Sequence, residues 1–258
     1  MKNSVSRIIR SVLGLGSNSH SGVSLRRSLR LLLSYNPLRI VQGWKYVKVT
    51  RGQLSQDLFI ALESNFKQNG FFVEFGASDG ITLSNTYLLE TALNWRGILA
   101  EPGKSWASAL RQNRAVNIST KAVWSESANS LNFEEYAIGE LSRVSDLPVI
   151  DENQSQRVNG VKYQVETISL NDLLDLFRAP DLIDVVSIDT EGSELEILKK
   201  FNFDRFNVRI FIIEHAYGSN AQEIQSILER NGYELKLQNL SAWDYWFVKK
   251  NSKSHSRV

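Results

Sequence analysis

The sequence predicts an α/β fold: a doubly wound, mostly parallel sheet that ends in an antiparallel hairpin. Three observations carry this prediction. From Gly70 onward, short apolar runs alternate with segments of helical period, the pattern of repeated β–α units. Two of the runs, residues 183–189 (IDVVSID) and 208–214 (VRIFIIE), are apolar on both faces, as strands covered by helices on either side must be. The last two strands, residues 233–237 and 242–248, are joined by a loop too short for a crossover helix, so they pair antiparallel.

The remaining elements follow in order. Residues 24–34 carry Leu25, Leu29, Leu32 and Leu33 at helical spacing with arginines between them, and Asn36-Pro37 punctuates the chain after them. Residues 55–67 read as a helix with Leu58, Phe59, Leu62 and Phe66 on one face, stopped by Asn69-Gly70. Strands are predicted at 71–75, 97–101 and 118–124, and helices at 85–93, 104–112, 171–177, 193–201 and 221–230. Residues 125–166 break the rhythm. They are polar, hold Pro148, and read as a hairpin-and-loop insertion over the carboxyl ends of the strands, where ligands bind in such sheets.

This gives a basic extension with one helix over residues 1–51 and a single domain over 52–258. The 258 residues suffice for one substantial core. No apolar run approaches the roughly 20 residues of a membrane-spanning helix. Cysteine is absent, which excludes disulfides, zinc–thiolate sites and cysteine nucleophiles. The net charge of +2 conceals an asymmetry: ten lysines and arginines precede the first acid, Asp57, and the rest of the chain is net acidic. Such an N-terminus reads as a solvated extension, as an arm toward an anionic membrane or as a transit peptide. The segment 24–51, with apolar residues interleaved with arginines, is expected to lie against an anionic surface. The protein is expected to be cytoplasmic, at the membrane periphery if that arm engages, with organellar targeting left open.

Four segments carry chemistry. In Val73-Glu74-Phe75-Gly76-Ala77-Ser78-Asp79-Gly80 a buried strand runs into two glycines. Glycine allows a sharp turn and close approach to a ligand. The spacing is G-x-x-x-G and not the G-x-G-x-x-G of dinucleotide enzymes, and the acid Glu74 suits an ammonium better than a pyrophosphate. Glu101 ends the next strand, about 20 residues on, where an acid accepts hydrogen bonds from ribose hydroxyls in nucleoside-binding α/β folds. Trp106 lies nearby as a candidate wall. Asp189-Thr190-Glu191-Gly192-Ser193-Glu194 places three carboxylates in one turn. A capping box of Ser193 with Glu196 accounts for part of it, but not for the charge of Asp189 on a buried strand. Glu214-His215 ends the neighbouring strand. Asp189, Glu214 and His215 are the expected reaction centre, with two routes open: His215 as general base, or magnesium or manganese held by Asp189, Glu214 and His215.

Together VEFGASDG, GILAEP and IDTEGSELEIL resemble the FkbM family of S-adenosylmethionine-dependent methyltransferases. The most specific element, ID-x-EG-x-E, is complete as Asp189, Glu191, Gly192 and Glu194. The resemblance implies the class I methyltransferase sheet, with Glu74, Gly76, Ala77, Ser78, Gly80, Glu101 and Asp189 around S-adenosylmethionine. It implies O-methylation of a glycan, glycolipid or secondary metabolite, with the 125–166 insertion facing the substrate. Other classes stay open: a catalytically silent binding module, or an NAD(P)-dependent oxidoreductase, against which the missing G-x-G-x-x-G counts. Nucleic acid is a disfavoured partner, because no base-flipping motif or aromatic-rich basic face is present. Oligomeric state is not encoded in any feature of the sequence.

Overall fold

The computed structural model describes residues 25–136, 142–145, 159–215 and 220–250. The expectations for residues 1–24, for the loop around Pro148 and for the C-terminal tail lie outside these. The core is a seven-stranded sheet. Its parallel part comprises β1 (Phe71–Phe75), β2 (Arg96–Ala100), β3 (Asn117–Ser119), β8 (Leu182–Ile188) and β9 (Asn207–Glu214). β10 (Tyr233–Leu235) and β11 (Asp244–Lys249) complete it, and β11 lies antiparallel between β10 and β9. The order is β10-β11-β9-β8-β1-β2-β3. From β1 the chain winds outward through β2 and β3, then returns to the other side of β1 for β8 and β9. That reversal leaves a crevice at the carboxyl ends of β1 and β8, where ligands bind in doubly wound sheets.

Alternation along the strands feeds a core on each face. Phe71, Val73 and Phe75 meet Leu173, Leu174, Leu198, Ile224 and Leu228, which come from α6 (Leu170–Leu176), α7 (Glu194–Lys200) and α8 (Ala221–Arg230). Phe72, Leu99, Val185 and Trp246 face the other way. They meet Leu58, Leu62, Leu89 and Leu110 of α3 (Gln56–Glu63), α4 (Tyr87–Leu93) and α5 (Ala107–Asn113).

Several expectations are corrected. Residues 118–124 are two strands, because Lys121 N donates to Ser119 Oγ at 3.2 Å and turns the chain. β3 stays in the main sheet, and β4 (Ala122–Trp124) joins a second one. The 1–51 segment holds two helices among its described residues, α1 (Leu25–Leu32) and α2 (Pro37–Trp44). Asn36-Pro37 begins a helix: the Asn36 side chain accepts from Arg39 N at 3.1 Å and proline occupies the first turn. Nor is 25–51 a separate extension, since Leu31, Leu32 and Tyr46 are buried in the same cluster as Phe72 and Trp246. The loop between the last strands contains a helical turn, α9 (Gln238–Ser241).

The insertion forms a second sheet of order β4-β7-β5-β6, with β5 (Ser130–Glu135) antiparallel to β7 (Val161–Ser169) and to β6 (Arg143–Val144). β7 also pairs in parallel with β4, and this places the insertion over the carboxyl ends of β1 and β2.

Candidate functional site

The crevice holds a narrow cavity of about 90 Å³. Glu74, Gly76, Ser78 and Asn85 line it from the β1 side, Glu101 from β2, and Asp189, Thr190 and Glu191 from the turn after β8. Phe133 and Val144 of the insertion cover it. Ligand pockets usually reach about 300–1,000 Å³, so a nucleoside-sized ligand enters only as this cover moves outward.

The loop after β1 is shaped by its own contacts. Gly76 has φ +69° and Gly80 φ +81°, where a side chain is strained. A Cβ on Gly76 would meet the Asp189 carbonyl, 3.1 Å from its carbon with the oxygen interposed. Gly76 therefore serves the seam between the β1 and β8 loops. A Cβ on Gly80 would meet Arg114 Cγ at 2.6 Å and Leu110 Cδ1 at 2.7 Å. Neither Gly80 nor Ala77 lines the cavity. Ala77 is buried in the core, and its carbonyl accepts from Gly80 N at 2.8 Å.

Glu74 lines the cleft, and protein donors hold its carboxylate. It accepts from Asn85 N at 2.6 Å, from Ser84 Oγ at 2.9 Å and from Thr86 Oγ1, with Arg114 Nη1 at 3.8 Å. Burial raises its pKa, and the Arg114 charge and these donors offset that. It anchors the loop, while Oε1, which accepts only from Asn85 N, keeps a lone pair for a further donor. Asn85 is held beside it: its Nδ2 donates to Ser187 Oγ at 3.0 Å, while its Oδ1 is buried without a partner. Arg114 was not singled out in the sequence. Fully buried, it binds Glu90 at 2.6 Å, Gly80 O at 2.9 Å and Thr86 Oγ1 at 3.0 Å, and joins the helix after β2 to the loop after β1.

Glu101 stands where the sequence places it. Oε2 accepts from Ser78 N at 2.9 Å and Oε1 from Gly103 N at 2.7 Å, so each oxygen keeps a lone pair for a further donor. Burial pushes its pKa up to about 7 against these two hydrogen bonds. The insertion fixes the following loop: Glu135 accepts from Ser105 N at 3.0 Å and from Tyr163 Oη at 2.7 Å. Neither residue carried a sequence signal, because their partners are backbone amides more than 25 residues away. Trp106 packs on Gly103 outside the cleft lining, with its Nε1 buried and unpartnered.

Beyond β8 the carboxylates converge. Ile188 pairs with Ile213, so Asp189 and Glu214 emerge side by side. Asp189 is walled by protein yet open to solvent through the cleft mouth. Burial and the Asp189 charge raise Glu214 well above the ordinary carboxylate range. Asp244, opposite Glu214 in the register, is pushed up to about 7 by burial, with Gln56 Nε2 donating to it at 2.8 Å. Oxygens of Asp189, Glu191 and Glu214 lie within 4.8 Å of one another, close enough to hold one cation.

His215 departs from the expected centre. It lies outside both that group and the cleft lining, with its ring against Tyr245 at a centroid distance of 4.0 Å. It follows Glu214 on an extended segment, so its side chain points the other way. The expected capping box is also absent. Ser193 Oγ donates to Thr190 Oγ1 at 2.6 Å, and Glu194 instead gathers the turn, with Oε1 accepting from Thr190 N at 3.0 Å and Gly192 N at 3.1 Å. The signature acids thus divide between a turn that Glu194 builds and a rim that Asp189 and Glu191 furnish.

A family model described as the methyltransferase FkbM domain matches residues 74–235, which takes in the β1 loop, Glu101, the insertion and the carboxylate rim. The chain belongs to the FkbM methyltransferase family. Its sheet order, with the reversed β11 inserted next to the edge, is that of the class I methyltransferases. Solved structures similar to this FkbM protein include three methyltransferase-class or RNA-processing proteins. Precorrin-6Y C5,15-methyltransferase from Geobacter metallireducens GS-15 is 13% identical over 71% of this chain and 73% of that one, with TM-score 0.36. Ribosomal protein L11 methylase from Lactobacillus delbrueckii subsp. bulgaricus is 12% identical over 76% and 78%, with TM-score 0.39. The fibrillarin pre-rRNA processing protein of Methanococcus jannaschii is 12% identical over 72% and 69%, with TM-score 0.36. No curated protein sequence matches the chain.

Proposed function

We propose that this FkbM methyltransferase uses S-adenosylmethionine to methylate a hydroxyl of a glycan, glycolipid or other secondary metabolite. One observation carries the cofactor reading: the cleft offers the acceptors such a molecule needs. Glu101 has a lone pair free on each oxygen for two vicinal ribose hydroxyls, and Glu74 Oε1 keeps one for an ammonium. When bound, S-adenosylmethionine supplies an electrophilic methyl group on a sulfonium. Asp189 would take the acceptor hydroxyl's proton as that oxygen accepts the methyl group.

Asp189 suits that role because it lines the cleft with its carboxylate beside those of Glu191 and Glu214, where an acceptor hydroxyl can reach it. Glu214 acts through Asp189 as a positioning residue. Phe133 and Val144 contribute to water exclusion and to acceptor choice.

A second reading rests on the Asp189, Glu191 and Glu214 oxygens. Magnesium or manganese held there would bind the acceptor hydroxyl and lower its pKa. The two readings separate cleanly. With Asp189 as base, chelator leaves turnover intact, and Asp189→Asn lowers it by about 10²–10⁴ while His215→Ala does not. With a metal, chelator abolishes turnover and Glu191→Gln is as damaging as Asp189→Asn. The acceptor is identified by incubating the protein and methyl-labelled cofactor with cell extract. Label in a glycan or small metabolite supports the proposal; label confined to RNA or protein refutes it.

A further inference from the structure

The side of α2 turned to solvent is its apolar side. At helical spacing, Trp44, Pro37, Val41 and Leu38 share one arc, and Gln42 sits at its edge. Leu38 is 78% exposed and Val41 75%, and Leu33 at the end of α1 adds another bare leucine. The opposite side of α2 is seated on the domain. A Cβ on Gly43 would press on Leu32 Cδ2 at 2.5 Å, and Arg39 Nη1 donates to Leu62 O at 2.6 Å. The helix is therefore held in place with its amphipathicity inverted. Large exposed apolar side chains concentrated in this way mark an interaction surface.

The exposed charges on α1 and just after α2 are all basic. Lys45 and Lys48 follow α2 and are exposed, as are Arg26 and Arg30 on α1. No acid occurs before Asp57, which is itself buried and accepts from Arg51 N. Of the acids on the adjoining α3, Glu63 is engaged by Tyr35 Oη at 2.6 Å. An apolar tip with an indole at its border and cations around it matches the layering of an anionic bilayer surface: acyl chains, interface and phosphates. It fits a second copy of this chain poorly, because a two-fold contact would set these cations against themselves. One eight-residue helix also falls well short of the roughly 800 Å² per partner of a stable dimer.

We propose that the outward face of α2, with Leu38 and Val41 inserted and Lys45 and Lys48 at the headgroups, docks this protein onto anionic lipid bilayers. The contact is remote from the carboxylate rim. α2 lies over Leu62 and Phe66 at the end of α3, whereas the start of α3 meets the rim through Gln56 and Asp244. Membrane contact and cofactor binding are thus independently testable.

The test is co-sedimentation of the full chain with phosphatidylcholine vesicles, with and without phosphatidylserine. The expected result is pelleting only when phosphatidylserine is present. Either Leu38→Gln/Val41→Gln or Lys45→Glu/Lys48→Glu should lower the partition coefficient by about tenfold or more. Quenching of protein fluorescence by brominated lipid should fall in Trp44→Phe. Circular dichroism checks that each variant is folded, which is expected because the substituted residues are exposed. Undiminished pelleting of Leu38→Gln/Val41→Gln overturns the proposal, as does equal pelleting on pure phosphatidylcholine. A dimer in analytical ultracentrifugation that the same variant dissolves, without vesicle binding, would show that the face is a self-contact and would also overturn it.

Discussion

Replacing Gly76 by alanine asks whether the glycine after β1 serves a ligand or the fold. In the structure its φ is +69°, and a left-handed conformation costs an L-residue about 1–2 kcal/mol. Alanine also restricts the unfolded chain, which returns about 0.4–1 kcal/mol. If conformation were the only cost, the variant would lose no more than about 1.6 kcal/mol. The added Cβ, however, would lie 3.1 Å from the carbonyl carbon of Asp189 with the oxygen between them, inside any tolerated contact. The β1 and β8 loops would have to part by about 1 Å or more, and both are anchored to paired strands: Phe75 is in register with Ile188. Such overpacking typically costs about 1–3 kcal/mol. The net expectation is a loss of about 2–4 kcal/mol, a large share of the roughly 5–15 kcal/mol that holds a domain folded.

Urea unfolding of the ligand-free protein, followed by circular dichroism and tryptophan fluorescence, measures this directly. Because the displaced atom belongs to Asp189, the same variant should shift Asp189 relative to Glu191 and Glu214 and lower turnover even where substrate saturates. A stability loss under about 1.6 kcal/mol, paired with a large loss of cofactor affinity, would refute the packing argument. The glycine would then be there for the ligand, as the sequence alone had suggested.

Glu101 titrates at about 7 in the free protein, and ribose hydroxyls donate to its ionised form. S-adenosylmethionine should therefore bind more tightly as pH rises through 7, and calorimetry on Glu101→Gln should show weaker binding with that dependence gone. The sign for folding is opposite. Glu101, and Asp244 likewise at about 7, hold protons in the native state that the unfolded chain has already released, so stability should fall as pH rises from about 5 through 7. A flat or rising profile in urea unfolding would contradict the buried placement of these acids. Arg114→Met should cost about 3–5 kcal/mol, because it strands buried Glu74 and removes the partner of Glu90. The loss should deepen with rising pH as Glu74 ionises without a counter-charge, and a loss under about 1 kcal/mol would mean that Arg114 is not its partner.

What the sequence made legible follows from what kind of information each feature carries. The doubly apolar strands β8 and β9 and the alternating helices announce themselves by period, and they fix the sheet and its switch point without further help. Glu101 was legible because its position at a strand end is itself the signal. Asn36-Pro37 was misread because a helix cap and a turn use the same dipeptide, and only Arg39 N decides between them. Residues 118–124 were misread because one apolar run served two sheets, and nothing local marks a change of partner.

At the site, the residues misassigned were those whose role depends on a second side chain distant in sequence. Glu74 reads as a ligand group alone, and the structure adds Ser84, Thr86 and Arg114 as partners that the sequence does not announce. His215 looks catalytic as the one histidine near the rim, until its place one step past Glu214 turns it toward Tyr245. Glu191 reads only as one of three carboxylates in a turn. In the structure Glu194 ties that turn together, and Glu191, in a left-handed conformation at φ +56°, joins Asp189 and Glu214. The division of labour inside ID-x-EG-x-E follows. Glu194 and Gly192 shape the turn, and the turn releases Asp189 and Glu191 to face the cleft. By this logic, substitutions at Glu194 should act on turnover by misplacing Asp189 and not by removing a group that touches the substrate.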